Sequence, residues 1–191
     1  MSDQIVLYDA CVLYPAPLRD LLVRVALTDL VQVHWTEEIH REWMRNLLEN
    51  RPDLSAAQLE RTRQAMNAAV TDSVVEGYEE LIPQLHLPDA DDRHVLAAAI
   101  HTRAQVIVTF NLKDFPVSAL APYGLVARHP DDFLGDLLTM DARAVVETII
   151  AQCRALRRPP KTLDEHLETL QSNGLVKTVT RVKHWLESKE M

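Results

Sequence analysis

Short β-favouring runs alternate along this chain with stretches whose apolar residues recur every three or four positions. Residues 4–8, VQVHW (31–35) and QVIVTF (105–110) are of the first kind, and LVARHP (125–130) offers a short last strand. Leu18, Leu21, Leu22, Val25 and Ala26 form one stripe of a helix over 18–29. Thr36 is placed to cap a helix reaching about Glu49, where Pro52 follows. Glu37 and Glu38 lie in its first turn, where the helix dipole favours anions. Ser55 caps another helix through about Val70, and DADDRHVLAAAIHTR (89–103) is a third, with Asp89 as its expected cap. Strands separated by helices pair in parallel, and helices must then cover both faces of the sheet. The expected fold is therefore α/β, with a central parallel sheet flanked by helices. Beyond the last strand the spacing is helical over 131–138, 141–157, 162–172 and 175–187.

The length of 191 residues suits one domain with an appendage, and 47% apolar residues are ample for a core. No apolar run approaches the roughly 20 residues of a membrane span, and no signal segment opens the chain, so a cytoplasmic protein is expected. Cys11 and Cys153 lack metal-site spacing and read as reduced core thiols, although one disulfide between them is open. Four glycines form neither a dinucleotide fingerprint nor a P-loop, and no G-x-S-x-G is present. The eight histidines make no metal signature, because His94 and His101 lie too far apart on their helix to share an ion.

The net charge of −8 argues at first against a nucleic-acid partner, but the charge is unevenly spread. Residues 1–130 hold eleven Lys and Arg against eighteen Asp and Glu, whereas residues 154–183 hold seven basic residues against three acids. An acid-rich pocket for cations beside a basic patch for phosphates has this distribution, and so does a merely solvated surface.

In IVLYDACVLYP (5–15) an acid, Asp9, follows the first strand inside an apolar stretch. Burying such a carboxylate costs several kcal/mol, roughly, unless it is neutralised, paired or bound to a metal. Glu42 lies three residues after Ile39, at the margin of the buried stripe formed by Ile39, Trp43 and Leu47. Asp92 opens an alanine-rich helix that can pack closely on the sheet, whereas Asp91 is expected to face water. Thr109, Asn111 and Asp114 follow the apolar VIVTF strand. In parallel sheets ligands bind beyond the carboxyl ends of the strands, at a switch in strand order, and Asp9, Glu42, Asp92 and Asp114 are all drawn there. Converging acids need cations between them, and hard divalent ions such as Mg²⁺ or Mn²⁺ meet that need. The bland alternative gives each acid its own role as turn, cap or surface charge.

The segments IVLYDACVLYPAPLRDLL, TEEIHREW, LPDADDRHVLAAAI and VIVTFNLKDFP, in this order and spacing, resemble the PIN-domain nucleases. The similarity is to the branch whose first motif reads D-A-C, close to VapC-type toxins, and it covers roughly residues 4–128. It implies a PIN-like nuclease domain over 1–130, and the helix-spaced residues beyond it are expected to form an α-helical C-terminal extension, 131–191, packing on it. It also implies a Mg²⁺- or Mn²⁺-dependent endoribonuclease. Carried over position by position, Asp9, Glu42, Asp92 and Asp114 become catalytic metal ligands, with Thr109 and Asn111 as supporting polar groups. At Ala10 and Cys11 the first motif departs from the commoner pattern of a hydroxyl and an amide. Family precedent adds an antitoxin partner and a homodimer to the RNA substrate.

Arg93 and Lys113, each next to a candidate ligand, could contact RNA phosphate or bridge at the surface. Arg154, Arg157, Arg158 and Lys161 could hold the RNA backbone. Otherwise the extension only packs, or docks an antitoxin or a second copy. Two other functions stay open: a PIN-like module that binds RNA or protein without cutting, and a phosphatase or phosphotransfer domain with Asp9 as nucleophile. The second wants an acid two residues after Asp9, where Cys11 stands.

Overall fold

The computed structural model describes residues 4–190. Its first half runs β1 (Ile5–Tyr8), α1 (Ala10–Leu13), α2 (Ala16–Ala26), β2 (Gln32–His34), α3 (Glu37–Asn50) and α4 (Ala56–Ala69). After a 3-10 turn at Glu79–Gln84 come α5 (Arg93–His101), β3 (Val106–Val108), α6 (Val117–Leu120) and β4 (Val126–Arg128). Four helices complete the chain: α7 (Pro130–Met140), α8 (Ala142–Ala155), α9 (Leu163–Ser172) and α10 (Val176–Glu190). None of the described helices is long and apolar enough to cross a membrane.

The four strands form one parallel sheet in the order β2-β1-β3-β4. Val6 stands opposite both Val33 and Val106, and Tyr8 opposite Val108. The chain steps from β1 to β2 on one side and from β3 to β4 on the other, so its direction reverses between β1 and β3. The crevice beyond their carboxyl ends is thus the position where a parallel sheet accepts a ligand. Val6, Leu7, Tyr8, Ile107 and Val108 are fully buried, as continuous apolar runs in a covered parallel sheet should be. Ala97, Ala98 and Ala99 are fully buried too, and their small side chains let α5 lie close on β1 and β3.

The strands are shorter than their apolar runs. β3 ends at Val108, although the next N–H, of Thr109, still bonds the Arg128 carbonyl (3.0 Å) while its hydroxyl donates to Asp9 (2.7 Å), and Trp35 leaves the ladder to exchange backbone bonds with Ser73 and Val75. Helix α5 begins at Arg93, four residues later than the apolar spacing suggests. Asp89 is therefore not its cap. Instead its Oδ1 accepts the Asp91 N–H (2.9 Å) in a local turn, and Asp92 takes the cap position with no side-chain bond to the helix. The short helices α1 and α6 carry too few residues for a periodic signal.

The helix that carries Glu42 is fixed by a buried polar chain. Trp43 Nε1–H donates to His40 Nδ1 (3.0 Å), which leaves His40 Nε2–H to donate to Asn67 Oδ1 (2.9 Å) on α4. Trp35 Nε1–H meets the same Asn67 oxygen (2.9 Å) at the end of β2. Arg19 is buried across the Trp43 ring, 4.6 Å from its centroid, and donates to the Leu13 carbonyl (2.6 Å). It thereby joins α1, α2 and α3 behind Asp9.

The C-terminal helices are tied down by buried polar groups. Gln152 on α8 donates to the Pro17 carbonyl (2.8 Å) and accepts from His166 Nε2–H (3.0 Å) on α9. Asp131 on α7 is buried and takes the free N–H groups of Lys177 (2.9 Å) and Thr178 (2.8 Å) at the start of α10. Gly174 holds φ +92 between α9 and α10, and a Cβ there would meet Phe110 at 3.3 Å. We expect Asp131→Ala to destabilise the fold by about 2 kcal/mol, because two buried donors lose their acceptor. A fall in the urea midpoint with an unchanged slope would show it.

Candidate functional site

At the carboxyl end of β1 the chain turns directly into α1, and Asp9 is the residue at that corner. Its side chain is only 3% exposed. Oδ1 accepts the Ala10 N–H (2.6 Å), whereas Oδ2 accepts the Thr109 hydroxyl (2.7 Å) and the Cys11 thiol (3.0 Å). Burial pushes the Asp9 carboxyl above the usual range, partly offset by the bonds from Thr109 and Cys11, and the Glu42 charge pushes it further. Burial and the Asp9 charge likewise push the Cys11 thiol up, so it stays protonated and donates. Its sulfur also accepts the Phe110 N–H (3.2 Å), so Cys11 supplies both the donor and the acceptor of a cross-tie between β1 and β3.

The other candidate acids come from three separate elements. Glu42 is half-buried on α3, Asp92 is half-buried at the start of α5, and Asp114 is half-buried after β3. Burial raises the Asp92 carboxyl to about 7, helped by the charges of Asp9, Asp89, Glu42 and Asp114. The four acids therefore sense one another through space. Among the described residues none of them pairs with Lys or Arg, and His94 Nε2 lies 3.6 Å from Glu42 Oε2.

Glu42, Asp92 and the exposed Asn111 line a common cleft of about 640 Å³. The walls also carry residues that the sequence reading passed over. Glu38, read only as a first-turn acid, lies 4.0 Å from His94 Nδ1. His94, read as core or solvated, is 7% exposed and sits between Glu38 and Glu42. Arg41 and Arg45 occupy the same wall. The signal for Glu38, Arg41 and Arg45 was their spacing with Glu42, which puts them on one face of α3, whereas His94 on α5 offered no such pattern. Asp9, Thr109 and Asp114 do not line the cleft. Asn111 joins it through its backbone N–H, which donates to Thr109 Oγ1 (2.9 Å).

Among the described residues, no three His, Cys, Asp or Glu side chains converge tightly enough to enclose a metal ion. Open sets of hard carboxylate oxygens suit Mg²⁺ or Mn²⁺, which keep several waters and take only one or two carboxylates each. The donor chemistry thus fits such an ion, and the acids without counterions leave room for its charge.

The basic candidates lie elsewhere. Arg93 Nε donates to the Ala90 carbonyl (2.8 Å) and Lys113 is exposed. Arg154, Arg157 and Arg158 are exposed at the end of α8 and beyond it, and Lys161 Nζ donates to Thr169 Oγ1 (2.5 Å). None of these six lines the acidic cleft. Cys11 and Cys153 are both free thiols.

A family profile described as "PIN domain" matches residues 5–113, and one described as "VapC50 C-terminal domain" matches residues 130–184. A Mycobacterium tuberculosis protein named "Putative ribonuclease VapC50" is 47% identical over 94 residues. That match covers 49% of this chain and 55% of the relative, so little more than half of the relative's length is spanned.

The Asp92 shift fixes the sign of a pH effect. With its folded value near 7 and an ordinary value of 3.8, the folded chain holds a proton that the unfolded chain releases. Asp92 therefore contributes destabilisation that grows as pH rises from about 4 to about 7 in metal-free buffer. Relative to the unaltered chain, Asp92→Asn should gain stability across that window, read from urea midpoints in EDTA at both ends. A constant difference would contradict the assignment.

Proposed function

The chain belongs to the PIN-domain family, on its VapC-like branch, and on that premise we propose that it is a Mg²⁺- or Mn²⁺-dependent endoribonuclease. Its biological role on this reading is the toxin of a type II toxin–antitoxin pair, acting in the cytoplasm. Its partners are an RNA substrate, a cognate antitoxin and a second copy of the chain. Residues 1–130 form the nuclease unit and 131–191 its helical extension, a division supported by two separate profile matches. The observation that carries the reading is the placement of Asp9, Glu42, Asp92 and Asp114 towards the switch point of a parallel sheet, none of them ion-paired to Lys or Arg among the described residues.

Asp9, Glu42, Asp92 and Asp114 would hold the metal. When bound, the ion supplies charge neutralisation at the phosphodiester and acidifies an attacking water. The rest falls to the protein. Asp9 is held in one rotamer by the Ala10 N–H, the Thr109 hydroxyl and the Cys11 thiol, so its remaining lone pairs point in a fixed direction. Asp92 is bound by no capping duty and turns its carboxylate to the cleft. His94 Nε2 stands 3.6 Å from Glu42 Oε2. Asn111 offers an amide beside the acids, and its backbone orients the Thr109 hydroxyl. The expected products are 5′-phosphate and 3′-hydroxyl ends.

Incubating purified protein with tRNA and structured RNAs in Mg²⁺, Mn²⁺ or EDTA tests this reading. Cutting is expected only with metal, and Asp9→Asn and Asp92→Asn should each lower its rate on the order of 100-fold or more. Undiminished cutting by both variants would refute the assignment. RNA binding without cutting in any condition would select a binding module instead. Cys11→Ser should keep activity nearer the unaltered level than Cys11→Ala, because a hydroxyl can still donate to Asp9.

A further inference from the structure

We propose that Arg41 and Arg45, on the α3 wall of the acidic cleft, grip the phosphodiester backbone of RNA and lead it to the carboxylates. This rests on the ribonuclease reading and extends it to how the substrate is held. The cleft wall poses the problem by itself. Five carboxylates (Glu38, Glu42, Asp89, Asp91 and Asp92) face two guanidiniums, and a polyanion cannot enter such a field without cations to meet it.

Both arginines are exposed, and among the described residues neither takes part in an ion pair or a side-chain hydrogen bond. That freedom is unexpected. Glu38 and Arg41, like Glu42 and Arg45, stand three apart on one helix face, a spacing that commonly closes ion pairs. Here Glu38 and Glu42 are drawn towards His94 instead, which leaves the guanidiniums unpaired beside them. The other arginines of this half of the chain are occupied or lie outside the cleft. Arg24, Arg51 and Arg63 are in ion pairs, Arg19 is buried over Trp43, and Arg93 bonds the Ala90 carbonyl.

Arg41 and Arg45 are one turn apart, about 6 Å along the helix, and each presents a planar fork suited to phosphate oxygens. Backbone contacts of this kind hold RNA of any sequence and weaken with salt. A chain of net charge −8 can therefore bind RNA through two cations placed at this acidic cleft.

The test measures fluorescence anisotropy of labelled unfractionated tRNA and of a short mixed-sequence single-stranded RNA over a salt series. All proteins carry Asp92→Asn, in Mg²⁺, to keep the RNA intact. Adding Arg41→Ala with Arg45→Ala should weaken binding about tenfold and reduce the log–log salt slope by about 1.4, roughly 0.7 for each single-strand phosphate. Arg41→Lys with Arg45→Lys should restore the slope and part of the affinity. In the cleaving chain the double alanine variant should raise KM and leave kcat unchanged.

Unchanged affinity and slope in the double alanine variant would overturn the proposal while leaving the ribonuclease reading intact. So would a loss seen instead on replacing Arg154, Arg157 and Arg158, which would assign RNA to the extension. If the unaltered chain neither binds nor cuts RNA, the ribonuclease reading fails and this grip fails with it.

Discussion

A carboxylate buried at the end of a central strand and held by three hydrogen bonds is the constraint around which this structure is arranged. Asp9 draws Thr109 and Cys11 into a cross-tie that fixes how β1 and β3 end relative to each other. Thr109 reaches it with its hydroxyl while its N–H still bonds the Arg128 carbonyl of β4, and Asn111, two residues on, lines the cleft. Folding therefore tolerates an electrostatic cost at one point. Hydrogen bonds lower the cost without removing it, since burial still holds the carboxyl above its ordinary range.

Helix α3 translates that corner into a wall. One face buries Ile39, Trp43 and Leu47, and His40 joins it to α4 through Asn67. The opposite stripe alternates acid and base from Glu38 to Arg45. A rigid inner face lets the outer one carry unpaired charge, because packing and buried hydrogen bonds, not surface ion pairs, hold the helix in place.

The C-terminal helices bear on the same region indirectly. Phe110, next to Thr109, packs edge-on against His129 with ring centroids 5.1 Å apart, and it closes the space beside Gly174. Buried Asp131 and Gln152 are satisfied only by partners on other elements. The loop that shapes the site and the helices that follow it thus share one packing unit.

The parallel α/β plan, the helical nature of residues beyond 130 and the order of the acids along the chain were determined by sequence alone. Hydrophobic period, caps such as Thr36 and Ser55, and motif order are local properties that survive without coordinates. Tertiary structure alone decided that Asp92, not Asp89, stands at the cap of α5, that Cys11 binds Asp9, and that His94 separates Glu38 from Glu42. It also decided that Arg41 and Arg45 lack ion pairs among the described residues while Arg24, Arg51 and Arg63 have them. Those outcomes depend on distances between residues far apart in the chain, and on burial and charge summed over several elements, which no local pattern records.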